Sequence, residues 1–304
     1  IIQTKKKRNQ KHPSLAVFDN QKWVPICYGT QKGKVCYFNE IGKDIAYLPL
    51  YYDNQGIHPI TDPFILDSRG RIKYLHADTS KRKKVILSRK YYLAKHIFDY
   101  AKTLTGGHFE ASNNPDFSDP DTIHTISHWL LSADSFEIKP QKTYRYWRYV
   151  SAKNKGCNLA ELAFYSDKEE KELTGTIIGT NASVRYDTMP MDKSKVFDKD
   201  ILTYYEAPST VDYPWVGLDF NKPVSINKII YTPRNDDNNI HAGDLYELFY
   251  WEYNHWMSLG QQRAIESKLT YTNVPDNALL LLKDLTKGEE ERIFTYENDK
   301  QVWW

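Results

Sequence analysis

Short runs of aromatic and β-branched residues, each bounded by turn-forming residues, recur along the whole chain and constrain its fold most. Such runs, about four to eight residues long, are typical of β-strands, because these side chains suit a pleated surface. The clearest runs are Lys22–Tyr28, Lys34–Phe38, Asp44–Tyr51, Lys84–Ser88, Thr143–Val150, Trp215–Phe220, Ile226–Tyr231, Leu245–Trp251, Ala278–Leu282 and Arg292–Tyr296. Many short strands at close spacing predict an all-β protein made of tandem β-sandwiches.

One segment follows a helical pattern instead. The apolar residues that share a single helical face are Leu93, Ile97, Ala101 and Leu104. Gly106 and Gly107 follow them, and glycine is common just after the end of a helix. The sequence therefore predicts one short helix near 91–104.

The length of the chain, 304 residues, corresponds to roughly two domains at ~150 residues each. A polar, charged stretch over 166–171 separates apolar runs and predicts a boundary near 168–171. We expect a linker over 1–11, an N-terminal β-sandwich region over 12–168 and a second sandwich over 171–304. The pattern leaves open whether 12–168 is one long sandwich or two modules split near Lys90.

The two halves of the chain share a faint repeat. In the first half, Lys84–Arg89 is followed by a segment at 106–110 that begins with glycine. In the second half, Lys228–Arg234 is followed by a segment at 243–247 that also begins with glycine. Two related sandwiches explain this order, and so does coincidence between two all-β regions.

The charge balance bears on the choice of partner. Lys and Arg number 41 against 39 Asp and Glu, a formal net charge of +2, which argues against a protein that coats nucleic acid. The basic run Lys5–Arg8 is better interpreted as part of a solvated linker than as a nucleic-acid tag. No apolar run approaches the ~18–20 residues of a membrane span. We interpret the start at Ile1, without an initiator Met or a signal peptide, as that of a piece of a longer polypeptide.

Catalytic signatures are missing from the sequence. It contains no G-x-S-x-G, H-E-x-x-H, P-loop or dinucleotide-binding glycine motif, which predicts a chain that is not an enzyme. Three cysteines, at 27, 36 and 157, show no metal-binding spacing. Cys27 and Cys36 flank a predicted hairpin turn, where a disulfide and two reduced thiols both remain open. A glycosidase using paired carboxylates, or a cysteine hydrolase, remains an alternative.

Several motifs in the second half resemble, in their order, the discoidin domain (coagulation-factor type C, or galactose-binding-like). They are Val196–Tyr205 with its Asp-x-Asp turn, Trp215–Phe220, Ile226–Tyr231, Tyr246–Tyr250 and, one hairpin later, Trp256. The resemblance covers most of 172–296, although Lys199 and Asn221 stand where that family has glycine. Tyr144–Tyr149 and Ala160–Tyr165 are similar to the family's closing strands. The whole chain is similar to the C-terminal region of bacterial secreted proteins that often carry a transglutaminase-like domain upstream.

This resemblance implies a galactose-binding-like jelly roll over 171–304, whose loops at one end bind sugars, lipids or proteins. A sugar site needs aromatic faces and a few convergent polar groups. The candidate ligand-binding residues are Tyr204, Tyr205, Arg234, Asn235, His241 and Trp256. Core packing is the alternative for Tyr204 and Trp256, and bracing of a turn is the alternative for Arg234.

The resemblance also implies a structural calcium ion beside the Asp-x-Asp turn. Calcium prefers six to eight oxygen ligands. Asp198, Asp200 and Thr203 match the family's turn, and Glu297 near the last strand is the candidate that completes the shell. The alternative is a solvated turn, since Asp is favoured in turns for its own local hydrogen bonds.

Together these features predict a non-catalytic carbohydrate-binding or adhesion region of a larger bacterial protein. The partner expected is a glycan or glycoprotein, and the location is secreted, periplasmic or at the cell surface. A structural or protein-interaction module that positions an upstream catalytic domain is the main rival. Binding of membrane lipid is the least favoured.

Overall fold

The computed structural model describes residues 1–3, 12–39, 41–139, 142–166, 169–183, 191–288 and 291–304. Residues 4–11, which form most of the predicted linker, and residues 167–168, at the predicted boundary, lie outside this part. The prediction of a linker over 1–11 does not hold at its start, because Ile2–Gln3 forms a strand and Ile2 is buried.

The described residues form 26 strands, one α-helix and one 3₁₀ helix. The first ten strands are β1 (Ile2–Gln3), β2 (Ser14–Asp19), β3 (Lys22–Tyr28), β4 (Thr30–Lys32), β5 (Val35–Tyr37), β6 (Ala46–Asp53), β7 (Gly56–Pro59), β8 (Phe64–Leu66), β9 (Ile72–Tyr74) and β10 (Asp78–Leu87).

The middle of the chain contains the helix α1 (Lys95–Lys102) and the 3₁₀ helix Lys193–Phe197. Its strands are β11 (His108–Ser112), β12 (Asp121–Thr125), β13 (Asp134–Glu137), β14 (Tyr144–Val150), β15 (Cys157–Ser166), β16 (Glu169–Glu172), β17 (Thr176–Gly179), β18 (Tyr205–Glu206), β19 (Trp215–Val224) and β20 (Lys228–Pro233).

The last six strands are β21 (Leu245–Glu252), β22 (His255–Arg263), β23 (Leu269–Asp276), β24 (Leu280–Asp284), β25 (Ile293–Glu297) and β26 (Lys300–Trp303). All the strand pairs are antiparallel, and the prediction of an all-β protein is confirmed. The helix lies within the predicted 91–104 and is confirmed, with Ile97 and Ala101 on its buried side. It starts late because the residue before it, Ala94, is extended, with φ −66° and ψ 141°.

The chain divides into two compact units that do not follow the predicted boundary. The first unit combines residues 1–92 with 238–304, and the second is the continuous segment 93–237. Strand pairing accounts for this division, because β14 pairs with β19 and β15 pairs with β20, across the charged stretch at 166–171. That stretch contains the end of β15 and most of β16, and it therefore belongs to the second unit.

The second unit is a β-sandwich. One sheet has the order β12-β11-β14-β19-β17, and the other has the order β13-β20-β15-β16 with β18 paired to β15. A single apolar core lies between them, with Trp147 and Tyr149 from the first sheet and Leu159, Phe164 and Ile229 from the second.

The motifs that resemble the discoidin pattern are divided between the two units. Trp215–Phe220 and Ile226–Tyr231 lie in this sandwich, whereas Tyr246–Tyr250 and Trp256 lie in a sheet of the first unit, so residues 171–304 do not form one sandwich.

The first unit has more layers. A sheet of order β3-β2-β6-β8-β9, with β7 on β6, shares a core with the sheet β22-β21-β24-β25-β26. The second of these sheets packs through its other face against the pair β10-β23. The first packs through its other face around Ile2 of the small sheet β1-β5-β4. A sheet covered on both faces needs strands that are apolar at every position.

Two further expectations concern the cysteines and the membrane. Cys27, Cys36 and Cys157 all carry free thiols. Within the described ranges, no helix has both the length and the apolar character needed to cross a membrane.

Candidate functional site

An arginine held between two tyrosine rings is the central feature of the candidate site in the second unit. Strand β20 ends at Pro233, so Arg234 projects from the end of a sandwich strand. Its guanidinium carbon lies 3.7 Å from the ring centre of Tyr100 on α1 and 3.5 Å from that of Tyr204. A guanidinium over an aromatic face gains about 0.5–2 kcal/mol per ring. We call Tyr100, Arg234 and Tyr204 the arginine stack.

Two polar groups fix the edge of the same guanidinium. Arg234 Nη1 donates to Asn158 Oδ1 and to Glu206 Oε2, each at 3.3 Å. The Glu206 side chain is only 9% exposed and that of Arg234 16%, so each charge compensates the other in a partly dry environment. The arginine is therefore pre-oriented, with its planar group held on two faces and one edge.

Two neighbours of the stack have structural roles. Tyr205 is fully buried in the sandwich core, and its hydroxyl donates to the Thr180 carbonyl at 2.7 Å. Burial raises its pKa. Asn235 is buried too, donating to the Pro233 carbonyl and accepting from the Asp237 N–H, both at 2.8 Å. Although both were predicted to bind ligand, Tyr205 offers it no accessible surface and the Asn235 amide is used within its own turn.

The other two predicted ligand residues belong to the first unit. The His241 backbone N–H donates to the Tyr246 hydroxyl at 3.0 Å, just ahead of β21. Trp256 on β22 packs edge-on against Phe18, at 5.5 Å between ring centres, and against Trp251, at 5.2 Å. Of the six predicted residues, the structure thus places Tyr204 and Arg234 in contact.

The Asp-x-Asp turn lies in the second unit, directly before Tyr204. Asp198 Oδ1 accepts the Asp200 N–H at 3.0 Å, and the Thr203 hydroxyl donates to both Asp198 oxygens. Lys199 between the two acids has a φ of +65°, a left-handed conformation that glycine adopts without strain. A lysine held in this conformation therefore costs free energy of folding.

Glu161 on β15 is a further acidic residue beside this turn, and it is not among the predicted calcium ligands. Its Oε1 atom is buried and has no hydrogen-bond partner within the described part of the chain. Burial, and then the negative charges of Asp198 and Glu172, raise its pKa to about 7. Burial also acts to raise the pKa of Asp198, but hydrogen bonds from the Asp200 N–H, Lys195 and Thr203 outweigh it and lower that pKa. Below pH 7 the Glu161 carboxyl group is therefore mostly neutral, beside the charged carboxylate of Asp198.

Glu297, the predicted fourth calcium ligand, has other partners. It lies on β25 of the first unit, where Lys73 Nζ donates to its Oε1 at 2.7 Å and Thr295 Oγ1 donates at 2.9 Å. Glu161 and Glu172 are the acidic residues that adjoin the Asp-x-Asp turn, Glu172 through an ion pair with Lys199 at 3.3 Å. The described residues contain no group of three or more His, Cys, Asp and Glu side chains arranged to hold a metal ion.

The thiols give little support to a cysteine hydrolase. Cys157 is fully buried and its pKa is raised by burial, and burial also raises the pKa of Cys36. A thiol acts as a nucleophile when its pKa is lowered, which is the opposite change.

Comparisons with protein-family models, with curated proteins and with solved structures give no match to the chain. A function is therefore inferred from the geometry of the arginine stack and of the acidic turn.

Proposed function

We propose that this chain is a non-catalytic carbohydrate-binding region of a secreted or surface-attached bacterial protein. Its glycan ligand contacts the arginine stack at the loop end of the second unit. This end presents a fixed guanidinium and two tyrosine rings within a few ångströms of one another.

The observation that carries the proposal is the pre-orientation of Arg234. Sugar recognition combines an aromatic face with a small number of fixed polar groups, since each group that must be ordered on binding weakens the affinity. Tyr100 and Tyr204 are half-buried, so part of each ring remains accessible to a pyranose. Glu206 and Asn158 are buried and hold the guanidinium edge, so Arg234 is the group suited to donate to a sugar hydroxyl.

Calcium at the acidic turn forms part of the same proposal. Glu161, Asp198, Asp200 and Thr203 supply oxygen donors only, which is the chemistry that calcium prefers. The buried, unpartnered Glu161 oxygen beside Asp198 fits such an ion. A bound cation would stabilise both carboxylates in their charged form and hold the 198–203 turn, which leads directly into Tyr204.

The rival function, a structural or interaction module, has one observation in its favour. All the contacts described above for Arg234 come from within its own unit, as expected for a residue that braces a loop end. The two functions differ in whether removing a stack ring abolishes binding to a glycan or changes stability alone.

A glycan-array screen of the full chain tests the proposal, in calcium and in chelator. The variant is Tyr204→Ala, and the matched control is Tyr28→Ala, which removes an exposed tyrosine of the first unit. We expect selective binding by the wild type and the control, and loss of that binding in Tyr204→Ala while the chain remains folded. An absence of binding by a folded wild-type chain would favour the interaction module.

A further inference from the structure

A cavity of about 550 Å³ opens on the first unit, remote in sequence from the arginine stack. Its walls come from three connections, namely residues 59–62, residues 76–80 and residues 251–254 at the tip of the β21–β22 hairpin. We call it the hairpin cavity. It has the volume of a small-ligand site, since such sites enclose roughly 300–1,000 Å³.

A tyrosine at the mouth of the hairpin cavity is held in an unfavourable backbone conformation. Glu252 pairs with His255, so Tyr253 and Asn254 form a two-residue turn with φ of +49° and +66°. Such turns favour glycine, asparagine and aspartate, because a larger side chain is strained at positive φ. The Tyr253 side chain is also 75% exposed, so its burial does not offset this cost. Strain of this kind at a cavity mouth is typical of a functional residue.

The wall behind Tyr253 is formed by a packed aromatic cluster. Trp251 is buried and packs edge-on against Trp23, at 5.6 Å between ring centres, and against Trp256, at 5.2 Å. The turn that presents Tyr253 therefore extends from an ordered aromatic cluster, which reduces the entropy lost when a ligand settles on its ring.

Three carboxylates, those of Asp62, Asp78 and Glu252, line the hairpin cavity together with neutral polar side chains and His76. Among the described residues that line it there is no lysine or arginine. Each carboxylate has a partner of its own. His76 lies 3.1 Å from Asp62, the Ser80 N–H donates to Asp78 at 3.1 Å, and the Tyr250 hydroxyl donates to Glu252 at 3.0 Å. Lys81 Nζ also lies 3.5 Å from Asp78, so the negative charge of the cavity comes chiefly from Asp62 and Glu252. The carboxylate oxygens can accept further hydrogen bonds from the hydroxyl or ammonium groups of a ligand. The negative charge of the cavity repels an acidic ligand.

We propose that the hairpin cavity is a second saccharide site, which takes a sugar unit without negative charge. The sugar ring stacks on Tyr253, and its hydroxyl or amino groups donate to Asp78 and Glu252. This site belongs to the first unit and does not depend on the function proposed for the arginine stack.

Isothermal titration of the full chain tests this site with three probes, namely neutral gluco-oligosaccharides, glucosamine oligosaccharides and galacturonate oligosaccharides. The key variant is Tyr253→Asn, because asparagine tolerates positive φ and the hairpin should fold at least as well as in the wild type. We expect a neutral or amino probe to bind, with about tenfold weaker affinity in Tyr253→Asn. Tyr213→Ala, an exposed tyrosine of the second unit, is the control and should leave the affinity unchanged.

Three results would overturn the inference. They are tightest binding of the galacturonate probe, unchanged affinity in a folded Tyr253→Asn chain, and no binding of any probe by the folded wild type. Tyr204→Ala separates the two sites, because it should leave titration at the hairpin cavity unaltered even where it abolishes binding at the arginine stack.

Discussion

Strand β24 of the first unit and strand β15 of the second unit differ in how their side chains are buried. In β24 the consecutive residues Leu280, Leu281 and Leu282 are all fully buried. Along β15 buried positions alternate with half-exposed ones from Leu162 onward. The cause is the number of layers, because the sheet of β24 is covered on both faces and the sheet of β15 packs a core on one. The spacing of apolar residues along a strand thus indicates whether its sheet is covered on one face or on both.

The strongest test of this comparison is to remove one side chain from the doubly covered strand. Leu281→Ala leaves a hole between two sheets and should cost about 3–4 kcal/mol of unfolding free energy. Hydrogen exchange followed by mass spectrometry should show faster exchange in β21, β24 and β25. Exchange in β14, β15 and β19 should be unaffected, and equal acceleration in both units would contradict the division into two compact units.

Gly217→Ala makes the corresponding test in the second unit. Gly217 on β19 lies so close to β14 that an added Cβ would collide with the Trp147 carbonyl oxygen and the Arg148 Cα atom. Both are backbone atoms and yield only if the strands separate, so we expect a loss of about 2 kcal/mol. Hydrogen exchange should now accelerate in β14 and β19. Wild-type protection of these strands in Gly217→Ala would mean that the close approach is not needed.

The sequence predicts strands well because side-chain period is a local property. The run Lys22–Tyr28 matches β3 residue for residue, and Tyr144–Val150 differs from its prediction at one end only. The choice of pairing partner is not a local property. More than sixty residues of chain separate β14 from its partner β19, and many other strands have surfaces that are compatible with either. The predicted boundary at 168–171 rested on local polarity, which an edge strand of one sandwich, here β16, shares with a linker between two.

The candidate site was predicted only in part, again because sequence patterns are local and tertiary contacts are not. Arg234 and Tyr204 were identified by their polar and aromatic loop character, and they lie in contact. Tyr100 was missed because its helix is far away in sequence. Glu161 was missed although a carboxylate within an apolar strand is a visible signal that it has a special environment. Neither partner follows from spacing, because both contacts are made by tertiary folding.

The raised pKa of Glu161 predicts a pH dependence of the second unit. A carboxyl group whose pKa rises to about 7 on folding stabilises the fold in its neutral form, so stability falls as the pH rises from about 4.5 through 7. Without calcium, Glu161→Gln should match the wild type at pH 5 and exceed it at pH 8 by on the order of 1 kcal/mol, since the group is only partly buried. Urea denaturation in chelator measures this difference.

Calcium sharpens the same experiment. Saturating calcium at pH 8 should stabilise the wild type and have little effect on Glu161→Gln, because a bound cation favours the charged carboxylate. Parallel pH profiles of the two proteins in chelator would contradict the assigned environment of Glu161, and equal stabilisation by calcium would remove it from the ligand set.

The smallest expected effect comes from the arginine stack. Arg234→Lys keeps the charge but removes the planar group that contacts both rings, and should cost about 1 kcal/mol. A double-mutant cycle with Tyr204→Leu measures the contact itself by urea denaturation. We expect a coupling energy of about 0.5–1 kcal/mol. Additive losses would show that the two side chains do not stabilise each other.

The most direct test of the proposed function locates the ligand on the molecule. Hydrogen exchange of the full chain should be compared with and without the glycan that gives the strongest array signal. We expect slower exchange in the segments around Tyr100, Asn158, Tyr204 and Arg234 of the wild type, and none of this protection in Tyr204→Ala. A bound glycan that leaves these segments unchanged would contradict the proposed function.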